Sequence, residues 1–157
     1  HLSMAYLAGL AGIEIVHVPM RGMAEAANEI VAGRSQMMIF AGGTQYAKEP
    51  RIRMLGVTSM KRSKFLPDVP TVNENGLPGY EFDTWYGLLA PSSAPRALVA
   101  RINAEVNKLV KEPLVIDRLA KQSLEPLTLS PEEFDQLLRS NFEKMSKVVA
   151  ISGAKVE

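Results

Sequence analysis

Short, β-branched, evenly apolar runs alternate with helix-like stretches along the first part of the chain, and this alternation limits the possible folds most. Ile13–Val18 (IEIVHV) is followed by Gly22–Ala32 with helical spacing, then by the apolar run Gln36–Phe40 and by Ile52–Thr58. Runs without a polar face belong to strands covered on both sides, as in parallel sheets, whereas a one-sided antiparallel strand alternates apolar and polar residues. Strands interleaved with helices give an α/β layer arrangement, so the expected architecture is a mainly parallel sheet flanked by helices.

The helices have readable ends. His1–Leu10 carries Leu2, Tyr6 and Leu10 on one stripe and reads as a helix already under way, so the chain is expected to be a fragment of a longer protein. Gly33 stands where a C′ glycine ends the next helix. From Ser59 to Tyr80 the composition shifts: SMKRSKFLPDVPTVNENGLPGY holds three prolines and two glycines and reads as an irregular crossover with one short helix around Val72. Glu81–Ala90 reads as extended. Pro95 opens a long helix to Lys111 with Leu98, Ile102, Val106 and Leu109 on its stripe, Leu114–Gln122 is a second helix, and Glu125–Leu129 is a short strand. Ser130-Pro131-Glu132-Glu133 combines an N-cap serine, a first-turn proline and a glutamate at N3, which marks a helix start that Gly153 is expected to close.

Composition excludes several functions. Lys plus Arg number 18 against 17 Asp plus Glu, so no basic footprint for nucleic acid exists. No cysteine is present, which removes disulfides, thiolate catalysis and cysteine-type zinc sites. His17 lies inside an apolar run and is expected to be a core histidine. Asp68, Glu74, Glu81 and Asp83 read as solvated loop carboxylates. No nucleophile elbow, zinc-protease helix, P-loop or dinucleotide fingerprint occurs, so neither catalysis nor a metal or cofactor is expected.

What remains are corners where strands run into helices. Val18-Pro19-Met20-Arg21-Gly22 places a cation beside a helix N-terminus, a position that suits a carboxylate; the plain alternative is a turn with an exposed arginine. Ala41-Gly42-Gly43-Thr44 either lets backbone N–H groups approach a ligand or makes a tight turn. Thr84-Trp85-Tyr86 either walls a cleft or buries the single tryptophan at a junction between lobes.

Several stretches together resemble a known family. IVHVPMRG, the ordered string VTS…KR…LPDVPTV…GLPGY…WYGLLAP, and SPEEFDQLLRSNFEKMSKVV resemble the substrate-binding receptors of tripartite tricarboxylate transporters, the Bug or TctC family, over nearly the whole chain. The resemblance implies a two-lobed, type II periplasmic-binding-protein fold, a bacterial extracytoplasmic location, and closure on a small organic acid or amino acid that is passed to membrane permease subunits. It implies that residues 1–82 are the second, ligand-binding lobe with 59–82 as crossover, and that 83–157 return to a first lobe that is otherwise missing. His1-Leu2 matches the end of the family's Ser-x-x-His-Leu pattern, which adds His1 to the candidate ligand residues. Arg21 and Gly22 keep the cation and turn of the usual Val-Pro-Tyr-Lys-Gly, while Met20 replaces an aromatic. The run after Phe40 lacks the family's usual Asp and proline. The rival reading is an effector-sensing domain of a transcription regulator with the same architecture. A chain lacking one lobe is further expected to cover exposed cleft surface by homodimerisation.

Overall fold

The structure, a computed structural model, describes residues 1–152. Five α-helices occur among them: α1 (Leu2–Ala11), α2 (Met23–Val31), α3 (Arg96–Leu109), α4 (Pro113–Lys121) and α5 (Pro131–Ser152), with a 3-10 turn at Gly43–Tyr46. The described residues divide into two compact units, one formed by His1–Thr84 together with 146–152, the other by Trp85–Met145.

Helix ends follow the local code. Gly33 takes a left-handed φ of 71° just past α2, and its N–H donates to the Ile30 carbonyl at 2.9 Å, so the glycine is used where a side chain would be strained. At α5 the Ser130 hydroxyl accepts the Glu133 N–H at 3.1 Å while the Glu133 carboxylate accepts the Ser130 N–H at 2.7 Å, a complete capping box. These bonds hold the Glu133 carboxyl below its ordinary range, the Ser130 N–H being the main cause. The stop expected at Gly153 lies outside the described residues.

Sheet pairing departs from expectation. Among the described residues the β pairing is one isolated parallel bridge, Val57 to Thr71, and Ile13–Val18, Gln36–Phe40, Glu81–Ala90 and Glu125–Leu129 form no ladder. A strand exists only through its neighbour's N–H and C=O groups, so apolar patterning predicts a strand only where a second one is at hand. Val16 is 91% exposed and Leu89 75%, which shows side chains patterned for burial standing uncovered.

The first unit is tied together by the segment expected to be irregular. The N–H groups of Val57 and Val72 donate to the carbonyls of Pro70 and Val57, both at 2.9 Å, and the Phe82 N–H donates to the Thr58 carbonyl at 2.9 Å. Instead of a short helix around Val72 there are successive turns, opened by Thr71 and Glu74: the Thr71 N–H donates to the Glu74 carboxylate at 2.7 Å and the Glu74 N–H to the Thr71 hydroxyl at 3.0 Å. Thr71 is buried. Asn73 accepts the Gly79 N–H at 2.8 Å, and Asn75 donates to the Leu55 carbonyl at 2.8 Å. The Arg62 guanidinium adds a bond to Glu74 at 3.0 Å, so Glu74 is a partnered carboxylate and not the free loop acid expected.

In the second unit the amides of Asn103 and Asn107 on α3 both donate to the Leu129 carbonyl, at 2.8 and 2.9 Å, and so fix the approach to α5. Phe134 of α5 lies over Gly87 and meets Trp85 edge to face at 5.3 Å; a methyl group on Gly87 would run into the phenyl ring.

Candidate functional site

Two of the expected ligand positions in the first unit, His1 and Arg21-Gly22, lie beside α1 and α2. His1 is the N-cap of α1 and makes no side-chain cap bond, and the first turn contains no acid. Within α1 the Ala5 N–H donates to the His1 carbonyl at 2.9 Å. α2 begins after Gly22, which is extended, and carries Glu25 in its first turn. The Glu25 carboxylate reaches back to accept the Arg21 N–H at 2.9 Å. A negative group of the protein itself therefore already complements the positive end of α2.

His17 is corrected from its expected core position. It is exposed, and its ring stacks on His1 with centroids 4.1 Å apart and planes 13° from parallel. The apolar neighbours that suggested burial are themselves exposed, so the inference failed with the missing sheet. Contact with His1 brings the start of α1 against the run that leads into Pro19-Met20-Arg21-Gly22. Within that corner Met20 is half-buried, while Pro19, Arg21 and Gly22 are exposed.

The Ala41-Gly42-Gly43-Thr44 corner is built as a packed turn. Gly42 takes a left-handed φ of 77° and caps the 3-10 turn. A Cβ on Gly43 would sit 3.2 Å from Met54 Cε and 3.7 Å from Phe40 Cζ, and Phe40 meets Tyr46 edge to face at 5.1 Å. Ala41 is exposed, and Thr44 is half-buried. Of the third group, exposed Thr84 ends the first unit's run, while Trp85 and the 75% exposed Tyr86 open the second.

Sequence reasoning missed Tyr80, Tyr6 and Glu25. Tyr80 is fully enclosed, its ring stacks on Tyr6 at 5.4 Å, and its hydroxyl donates to the Ser3 carbonyl at 3.0 Å. Burial, with a smaller contribution from Tyr6, pushes the Tyr80 phenol up to about 12, so it stays a hydrogen-bond donor throughout the neutral range. The Thr71-x-x-Glu74 spacing was the available signal for this segment, being the same Ser/Thr-x-x-Glu signature that marked α5. Among the described residues no group of three or more potential metal ligands occurs, and no helix is long and apolar enough to cross a membrane.

Comparison with known proteins settles the family. Residues 1–153 match the family described as tripartite tricarboxylate transporter family receptor. The chain belongs to this family. A UPF0065 protein from the tcbD-tcbE intergenic region of Pseudomonas sp. strain P51 is 41% identical over 152 residues, covering 95% of this chain and 45% of that protein. Among solved structures, Rpa4515 of R. palustris with adipate superposes with a TM-score of 0.82 at 28% identity, over 98% of this chain and 52% of its own. MatC (Rpa3494) from Rhodopseudomonas palustris with bound malate gives 0.68 at 26% identity, over 96% of this chain and 52% of its own. The periplasmic binding protein BugD gives 0.75 at 23% identity, a likeness of fold, over 100% of this chain and 54% of its own. The fold class is thus the expected α/β, periplasmic-binding-protein type. The chain spans about half the length of the first of these relatives and of the solved structures it matches.

Proposed function

We propose that this chain is part of an extracytoplasmic, bacterial solute receptor that captures a small organic carboxylate and hands it to the permease subunits of a tripartite transporter. The observation that carries the reading is the likeness, across nearly the whole chain, to Rpa4515 of R. palustris, solved with adipate. Residues 1–82 are read as one lobe of that receptor and 83–157 as the return to the other. The ligand class is an organic acid, with amino acids as the next candidates.

The binding step uses no covalent chemistry. One carboxylate would meet His1, with the His17 ring stacked on it. Arg21 and Gly22 present the second corner, where an incoming anion would meet Glu25 as a competitor for the Arg21 N–H. Met20 supplies flexible apolar surface there, and Trp85 and Tyr86 are read as cleft-wall residues.

Thermal unfolding of the full-length protein against a panel of organic acids and amino acids tests the reading. An acid present at a hundred times its Kd stabilises by about 2.7 kcal/mol, a readily visible shift of midpoint. The expected result is a shift with at least one dicarboxylate that His1→Ala abolishes and Arg21→Ala weakens. No shift with any acid would remove the carboxylate reading while leaving family and fold in place. Size-exclusion with light scattering on the 157-residue chain tests the expected homodimer, which a monomer at all concentrations would refute.

A further inference from the structure

Asn75-Gly76 is the single Asn-Gly step in the sequence, and it falls in the run of turns that follows Thr71. Those turns are fastened to the Leu55–Thr58 run. The N–H groups of Val57 and Val72 donate to the Pro70 and Val57 carbonyls, both at 2.9 Å, and a Cβ on Gly56 would come 3.2 Å from Val72 Cγ2. A further tie is made by a side chain: the Asn75 amide donates to the Leu55 carbonyl at 2.8 Å, across 20 residues of sequence.

Asn75 carries the chemical means of losing that tie. Both Asn75 and Gly76 are exposed, and Gly76 holds a left-handed φ of 101° that suits glycine. Nothing lies within 4 Å of where a Gly76 Cβ would stand, and the Gly76 N–H meets no acceptor among the described residues. No side chain on the following residue therefore screens the Asn75 amide from the Gly76 nitrogen. Once hydroxide removes the Gly76 amide proton, that nitrogen attacks Asn75 Cγ and a ring N–C bond forms. The side-chain nitrogen leaves as ammonia with a proton from water, and a second water opens the cyclic imide at either carbonyl, giving aspartate or isoaspartate.

The Leu55 bond restrains this attack, because an amide held there is not free to turn onto its own backbone, so reaction awaits local opening of the turn. Afterwards the bond cannot re-form. An ionised carboxylate has no donor, and it would face the Leu55 carbonyl as a second acceptor. We propose that Asn75 is a deamidation site, and that its conversion irreversibly unfastens the turns after Thr71 from the Leu55–Thr58 run. The inference is independent of the ligand proposed above.

Ageing the full-length protein in mildly alkaline, heavy-oxygen water, followed by peptide mass mapping, tests the site, since each reacted asparagine retains a heavy oxygen. The expected result is label at Asn75 ahead of Asn73 and of the helical Asn28, Asn103 and Asn107, and faster still in urea, where the Leu55 bond is absent. Asn75→Gln, which keeps an amide donor but would have to close a larger ring, should stay unlabelled at that position. The aged protein and Asn75→Asp should both unfold a few degrees below fresh wild type. Amide hydrogen exchange should quicken at Val57 and Val72 in both. If Asn75→Asp does not fold, the aged wild type supplies the same readout. Native protein in which Asn75 takes up label no faster than Asn73 overturns the site. Label at Asn75 with an unchanged midpoint and unchanged exchange at Val57 and Val72 overturns the unfastening.

Discussion

Ser59–Tyr80 and Trp85–Ala90 lie almost side by side in sequence, yet they reach structure by opposite routes. The first is rich in proline, glycine and polar residues, and it is fixed by bonds it largely makes to itself and to Leu55–Thr58: Thr71 with Glu74, Arg62 with Glu74, Asn73 with Gly79, Asn75 with Leu55. The second reads Trp-Tyr-Gly-Leu-Leu-Ala, is patterned for burial, and stands extended with Tyr86, Leu88 and Leu89 each more than two-thirds exposed. Polar turn chemistry is satisfied over a few residues, whereas apolar patterning is satisfied only by a surface that comes from elsewhere in the polypeptide or from a partner. An irregular composition is therefore compatible with a firm local structure, and a strong strand pattern with none.

The contrast is open to attack at several points. The largest effect should come from Tyr80→Ala, which empties the enclosed end of the polar segment and is expected to cost about 3–5 kcal/mol in chemical denaturation. A loss under about 1 kcal/mol would mean that the segment is not the structural block described here. Next is Gly87→Ala, which tests how the apolar run is anchored on Phe134: the new methyl would meet the Phe134 ring, for an expected loss of about 1–3 kcal/mol. An unchanged stability would show Phe134 free to swing away.

Smaller is the acid dependence carried by Glu74, whose carboxyl is held below its ordinary value of 4.5, first by the Thr71 N–H and then by Arg62. A depressed folded pKa gives stability that is complete above the unfolded value and is lost as the pH falls through the folded one. Unfolding midpoints of the wild type should thus drop below about pH 4.5, and those of Glu74→Gln should drop less over the same range. Equal slopes would take Glu74 out of the account. The smallest effect is expected from Leu88→Lys, which should leave the stability of this 157-residue chain within about 0.5 kcal/mol, since the side chain is 71% exposed. The same substitution in the full-length protein should cost several times more if the run becomes a covered strand there, and equal costs in both would refute that covering.

Much of the helical structure was legible in advance. The α5 capping box, the Gly33 stop and the positions of α1 to α4 follow from residues within a turn of each boundary, and they lie within a few residues of expectation. The candidate site was legible only in outline: Arg21-Gly22 does stand where α2 begins. That Glu25 accepts the Arg21 N–H, that His17 leaves its apolar run to stack on His1, and that the Tyr80 hydroxyl donates to the Ser3 carbonyl were not readable, because each depends on a side chain's spatial neighbour.

By itself the sequence determined the helices, their caps and the family, because propensity, capping and an ordered motif string act through residues close together along the chain. The tertiary structure alone decided which apolar runs found partners and which distant side chains met, as Tyr80 meets Ser3 and Tyr6. Ladder pairing, stacking and burial are interactions between distant segments, and their energy depends on surfaces that no local pattern specifies.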